Sequence, residues 1–215
     1  MLSSLITILS LAATATSPEI FTQIAKGYEA YGDTHIHFQQ SYEDALRGTK
    51  RSESGEIYLS KDGKVRWVYR KPARKDFIFN GTSAYFYEPE FAQVTVFEKF
   101  AGSPLAQTLG ALWGQGNLQK HFVLTKTTPA SETEPHIRLY LEPKETLSGV
   151  SSVELAIDAK RYLVEESKLI DPLGNATIYR FKNFKKLKDL KAEIFDFQIP
   201  EGTNVLRGQS APQGS

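Results

Sequence analysis

The 215-residue chain has no cysteine. Disulfides, thiol catalysis and Cys-ligated metals are therefore excluded, as is the N-terminal lipid anchor of a bacterial lipoprotein, which is attached through a cysteine. An excess of one charge sign is also missing. Lys and Arg number 26 against 25 Asp and Glu, a formal net charge of +1, so no global field draws nucleic acid or an acidic partner. Arg66 and Arg70 beside Trp67 and Tyr69 make only a short basic and aromatic stretch, too little for a nucleic-acid surface. There is no glycine-rich phosphate loop, no nucleophile elbow and no pair of histidines at helical spacing with a partner Glu. Asp158, Glu165, Glu166 and Asp171 fall at no distinctive spacing. With four His and no Cys, a structural metal site is not expected, nor is a cofactor, and nothing supports an enzyme.

Long apolar runs are scarce too. One spans Leu2 to Leu11, followed by Ala13-Thr14-Ala15. It is short for a bilayer span, and the small residues suit a signal peptidase, although no Lys or Arg precedes the run. We read residues 1–15 as a cleaved signal peptide, the alternative being a buried N-terminal helix. The expectation is an exported, soluble, unanchored protein with one domain over 16–208 and a disordered tail over 209–215.

Aromatic residues, at 12% with a single Met, favour strands over a helical bundle. They are densest between Gly55 and Pro89. Ile57 and Leu59 alternate with polar neighbours, Asp62-Gly63 offers a hairpin turn, and Val65, Trp67 and Tyr69 share one face of the returning strand. Asp76 to Phe79 begins the next strand, Asn80-Gly81 a second turn, and Ala84 to Tyr87 returns. Phe77, Phe79, Tyr85 and Tyr87 are expected on one face, with Ile78 and Phe86 keeping the other apolar. A sheet with one wet face needs fewer aromatics, so either a second layer covers this region or it lines a cavity.

Around this stretch the period changes twice. Ser17 to Tyr31 reads as an amphipathic helix, with Pro18 at the first position, Ile20, Ile24, Tyr28 and Tyr31 on one face, and Gly32 as the left-handed stop. Ser103 is a candidate N-cap for a helix carrying Leu105, Leu109 and Leu112, and Asn117 for a short one through His121. Helices interrupting a β-protein are candidates for a lid, or for a plug closing one sheet face. Strands are expected at 34–42, 93–99, 122–126, 136–142, 153–157, 163–170 and 177–184, in an antiparallel meander. His35-x-His37 places two imidazoles on one strand face, but with no third ligand evident nearby in the sequence the pair reads as part of a solvated strand face. The lysines at 182, 185, 186, 188 and 191 suit a solvated edge.

In order and spacing, these segments resemble the periplasmic outer-membrane lipoprotein carrier proteins (LolA). The likeness runs from Phe38-Gln39-Gln40 to Phe195-x-Phe197-x-x-Pro200-x-Gly202-x-x-Val205. It is densest at Gly55, Ile57 and Leu59, then Lys64-x-Arg66-Trp67-x-Tyr69-x-x-Pro72, Asn80-Gly81, Tyr87-x-Pro89 and Gln93-Val94. Ser103-Pro104-Leu105 and Asp171-x-x-Gly174-x-x-Thr177 also match. The resemblance implies a mainly β fold, an incomplete antiparallel β-barrel with an N-terminal helix and a mid-chain helical lid over an apolar cavity.

The cavity would be lined by Ile57, Leu59, Trp67, Tyr69, Phe77, Phe79, Tyr85, Tyr87, Val94 and Val96, and the lid formed by Leu105, Leu109, Leu112, Ile20 and Ile24. The implied function is carriage of lipoprotein acyl chains, by a monomer, from an inner-membrane ABC release complex to an outer-membrane receptor. Many family members have Arg-Pro at Lys61-Asp62 and Phe at Val65, and their Arg steadies the closed lid. Lys61 keeps the charge without the planar donor fork, so lid latching or docking to the release complex would differ at Lys61 and Val65. Alternatives are a carrier or sensor of another envelope lipid or glycolipid, and a secreted hydrolase, which would need a polar, converging cleft.

Overall fold

The computed structural model describes residues 17–103, 106, 110, 118–145 and 149–208. The expected signal peptide, the tail over 209–215 and the lid residues Leu105, Leu109 and Leu112 lie outside them.

Helix α1 (Ser17–Tyr31) ends where the pattern places it. Gly32 takes φ +66°, and its N–H closes the helix on the Tyr28 carbonyl at 2.9 Å, the left-handed stop that glycine makes without strain. The strands follow as β1 (Thr34–Glu43), β2 (Lys50–Leu59), β3 (Val65–Lys71), β4 (Lys75–Phe79), β5 (Ala84–Glu88) and β6 (Gln93–Phe97). After a helical turn α2 (Leu118–His121) come β7 (Phe122–Thr128), β8 (His136–Pro143), β9 (Ser152–Asp158), β10 (Val164–Ile170), β11 (Ala176–Lys186) and β12 (Asn204–Arg207).

All twelve strands form one sheet in the order β12-β6-β5-β4-β3-β2-β1-β11-β10-β9-β8-β7. Two antiparallel meanders, β1 to β6 and β7 to β11, join through β1 and β11. The two ends of this order do not pair with each other, so the fold is mainly β and open, as expected. One strand departs from the antiparallel meander: β12 pairs with β6 in parallel.

The sheet is strongly rolled. Three inter-strand steps separate β3 from β11, about 14 Å in a flat sheet, yet the Trp67 and Tyr179 rings lie 5.3 Å apart. A bend of this kind needs room on the inside. Gly55 supplies it, at a register shift in the β2–β3 ladder, where a Cβ would overlap the Val68 carbonyl and press on the Phe38 ring. Phe38 and Tyr69 close over the gap with ring centroids 5.0 Å apart.

The inner face holds the main core. Ile36, Phe38, Ile57, Leu59, Trp67 and Phe181 come from the centre of the sheet, and Leu139, Leu141, Val153 and Leu155 from the second meander. Ile20, Ile24 and Tyr28 of α1 pack onto this face, together with Phe100 and Leu118. The helix sits close: Gly27 faces the Arg161 and Tyr162 carbonyls at a distance that admits no side chain, and Tyr28 Oη accepts from the Val164 N–H at 3.4 Å.

The outer face of β3 to β6 has its own cover. Residues 187–208 cross it as a strap, through a 3-10 turn (Ala192–Phe195) to β12. Phe195 is buried with Val68, Ile78 and Val94, and Phe197 lies 5.4 Å from Tyr85 and 5.3 Å from Tyr87. Beneath the strap, the side chain of Asp76 is 1% exposed and pairs with Arg66 at 2.7 Å. Arg66 also donates to the Ile194 carbonyl at 3.1 Å, tying the strap to the ion pair.

Candidate functional site

The aromatic stretch therefore has two different destinations. Register puts Trp67 opposite Ile57 and Phe77, and Val65 opposite Leu59 and Phe79, so Ile57, Leu59, Trp67, Tyr69, Phe77 and Phe79 all point inward with Val65. The expectation of a shared face with Tyr85 and Tyr87 is corrected. Phe77 pairs with Phe86, and Ile78 with Tyr85. The turn between Phe79 and Ala84 has four residues, and an even-length turn sets odd positions of β4 against even positions of β5. Tyr85 and Tyr87 therefore face outward, and β6 follows them, with Val94 opposite Tyr87 and Val96 opposite Tyr85. These four belong to the surface under the strap. Phe86 and Phe97 take their place against the inner core.

Ile20 and Ile24 of α1 are almost fully buried on the inner face. Ser103 Oγ accepts the N–H of the helical Ala106 at 3.1 Å, the N-cap geometry expected at this point. Lys61 sits in the β2–β3 turn, beside the C-terminal end of α1. Its backbone N–H donates to Asp33 Oδ1 at 2.8 Å, while its side chain is exposed. Val65 is 4% exposed and belongs to the core.

The inner face is apolar over most of its extent and polar at one end. There Tyr69 donates to Gln40 Oε1 at 2.9 Å, Lys75 Nζ stands 2.7 Å from Glu53 Oε1, and the same ammonium lies 4.6 Å over the Tyr69 ring. Tyr69 and Tyr179 share a hydrogen bond. Burial pushes Tyr179 up to about 12, against the lowering effect of this contact, and pushes Tyr69 well above its ordinary value, where the contact adds to it, so both remain protonated at neutral pH. These groups cap the apolar surface with neutral hydroxyls and one ion pair. Sequence reading placed Tyr69 in the cavity but missed Gln40, Glu53, Lys75 and Tyr179, although Gln40 continues the inward alternation of β1.

A second polar constellation lies on the outer face of β8 to β11. His136 has Nδ1 2.8 Å from Glu134 and Nε2 2.9 Å from Glu165. Glu134 also meets Arg138 at 2.8 Å, Glu166 meets Arg180 at 2.8 Å, and Arg161 bridges Asp158 and Glu165. A shallow groove of about 360 Å³ runs among them. His136, Arg138, Glu165, Glu166 and Arg180 in its lining each have an opposite partner, which suits a largely self-neutralising surface.

An open sheet rolled around an apolar face, with a helix laid across that face, defines a half-closed β-fold. A conserved protein of uncharacterised function from Thermus thermophilus shares the fold, with a TM-score of 0.59 at 12% identity over 90% of this chain and all of that one. The sequence pattern of the outer membrane lipoprotein carrier protein LolA family matches residues 32–198, and the chain belongs to that family. The outer-membrane lipoprotein carrier protein of Bordetella avium is 29% identical over 86% of this chain and 83% of its own length. That of Dechloromonas aromatica is 31% identical over 73% and 72%.

Proposed function

We propose that the chain is a periplasmic carrier of lipoproteins, sheltering their acyl chains against the inner face between an inner-membrane ABC release complex and an outer-membrane receptor. The carrying observation is the continuous apolar inner face under α1, in a member of the lipoprotein carrier family. On this reading the protein works as a monomer, exported by removal of residues 1–15, with Leu105, Leu109 and Leu112 completing the lid and Lys61 serving as its latch or in docking to the release complex.

The packing adds a constraint. Ile20, Ile24 and Trp67 are at 2% exposure or less, so where α1 lies the face is covered by the protein's own side chains. A guest therefore exchanges with α1 and the lid. Each methylene buried is worth about 0.8 kcal/mol, and the net gain is that sum less the cost of displacing the helix. Such a balance keeps cargo releasable.

The test is mass spectrometry of the protein isolated from its native periplasm. Co-purifying triacylated lipoprotein, lost in Phe79→Glu, is the expected result. Free phospholipid or glycolipid instead would keep the fold and replace the cargo. A preparation carrying neither, whose composition the substitution does not change, overturns the reading.

A further inference from the structure

The pair His35-x-His37 gains from the fold what the sequence lacks. In the β1–β2 ladder Glu56 is the direct partner of His37, and Tyr58 of His35. Side chains two apart on one strand and directly across on the next share a sheet face. His35, His37 and Glu56 thus converge on the outer face, each offering a donor atom, all within 4.8 Å of one another. The His35 and His37 rings are 5.1 Å apart, and His35 leans on the Tyr58 ring at 4.8 Å.

A second observation concerns His35 alone. Its Nε2 is buried and has no hydrogen-bond partner among the described residues. Glu56 Oε2 stands 3.9 Å away, beyond hydrogen-bond reach. A buried ring nitrogen with no partner forfeits the hydration it had in the unfolded chain. A ligand at this point would restore it.

We propose that His35, His37 and Glu56 form a binding site for a divalent transition-metal ion of the zinc class. Two imidazole nitrogens and one carboxylate oxygen make a donor set that such ions take with a further position left to water. A hard ion such as Mg²⁺ prefers oxygen donors alone. The donors must draw in from their present spread, and the exposed His37 is free to do so. Glu56 is already oriented, since its Oε2 accepts from Tyr58 Oη at 3.2 Å and from Arg70 at 3.2 Å. Supporting hydrogen bonds of this kind fix a ligating carboxylate. Arg70 and Lys185 bring positive charge close to the site and set its affinity below that of an acidic cage. An ion bound here would bridge β1 and β2 from the side opposite the apolar interior, independently of any cargo.

Calorimetric titration of the tag-free full chain with zinc chloride at neutral pH tests this. One zinc per chain is expected, with no heat from magnesium chloride. His37→Ala, at an exposed position, should weaken zinc binding at least about tenfold while leaving the unfolding midpoint of the metal-free protein unchanged. Glu56→Gln should weaken it as well, and His136→Gln should not. The proposal is overturned by an absence of zinc binding, by binding that His37→Ala leaves intact, or by binding that His136→Gln removes.

Discussion

Trp67 is where the cost of a single residue is clearest. Its ring touches Phe38, stacks on Tyr69 at 5.9 Å with 4° between planes, and meets Tyr179 and Phe181 across the roll of the sheet. Trp67→Ala should lower the unfolding free energy by about 3–5 kcal/mol in urea titrations. On the other face, Asp76→Ala strips Arg66 of its buried partner, for a loss of about 3 kcal/mol, whereas Lys61→Ala should fall within about 0.5 kcal/mol of wild type. The aromatic residues were legible as a group, but their faces were not. Counting alternation along β4 and β5 separately cannot say whether odd meets odd or odd meets even. That depends on the length of the turn that begins with Asn80-Gly81, and one residue more or less reverses it. The third donor beside His35 and His37 was hidden for the same reason: Glu56 is 19 positions from His37 in sequence, and only the β1–β2 register makes them neighbours.

Among elements, α1 and the first hairpin were the most readable, because cap, period and turn all point the same way. The strap was the least readable. Phe195, Phe197 and Ile199 alternate like a strand, yet Phe195 and Phe197 cover β3 to β6 from a 3-10 turn and irregular chain while Ile199 is exposed, since the groups the phenylalanines meet come from elements far earlier in the sequence. Removing residues 192–208 should expose Val68, Ile78 and Val94, seen as faster amide exchange in β4 to β6 with β8 to β10 unaffected. The outer network of β8 to β11 makes a prediction in pH. Burial lowers the pKa of His136, but its bonds to Glu165 and Glu134 outweigh this and hold it above the ordinary value. A histidine raised on folding adds stability that is complete below its unfolded value of about 6.5 and fades as pH rises through the folded one. The urea midpoint should therefore fall on going from mildly acidic to alkaline pH in the wild type, and this component should be missing in His136→Gln. Glu134, held down at about 2 chiefly by Arg138 and then by His136, acts in the opposite direction: its contribution is present above the usual carboxylate range and disappears as pH falls towards 2.

For the whole molecule, the central expectation is an exchange of partners on the inner face. Loading with a triacylated lipopeptide should deprotect the amides of α1 while β1 to β3 stay protected, as read by hydrogen exchange with and without the lipopeptide. Uniform extra protection would instead describe a rigid receptacle. The openness that permits this exchange leaves β7 and β12 as the edges of the sheet among the described residues. Unpaired strand edges invite other chains to add on. Here one edge is a four-residue strand flanked by the Arg207–Glu98 pair. The other is broken by a register shift between Leu124 and Lys126, with the Lys126 ammonium 5.2 Å over the Tyr140 ring. A sheet built this way can remain unclosed without offering a long, flat seam on which copies of itself could polymerise.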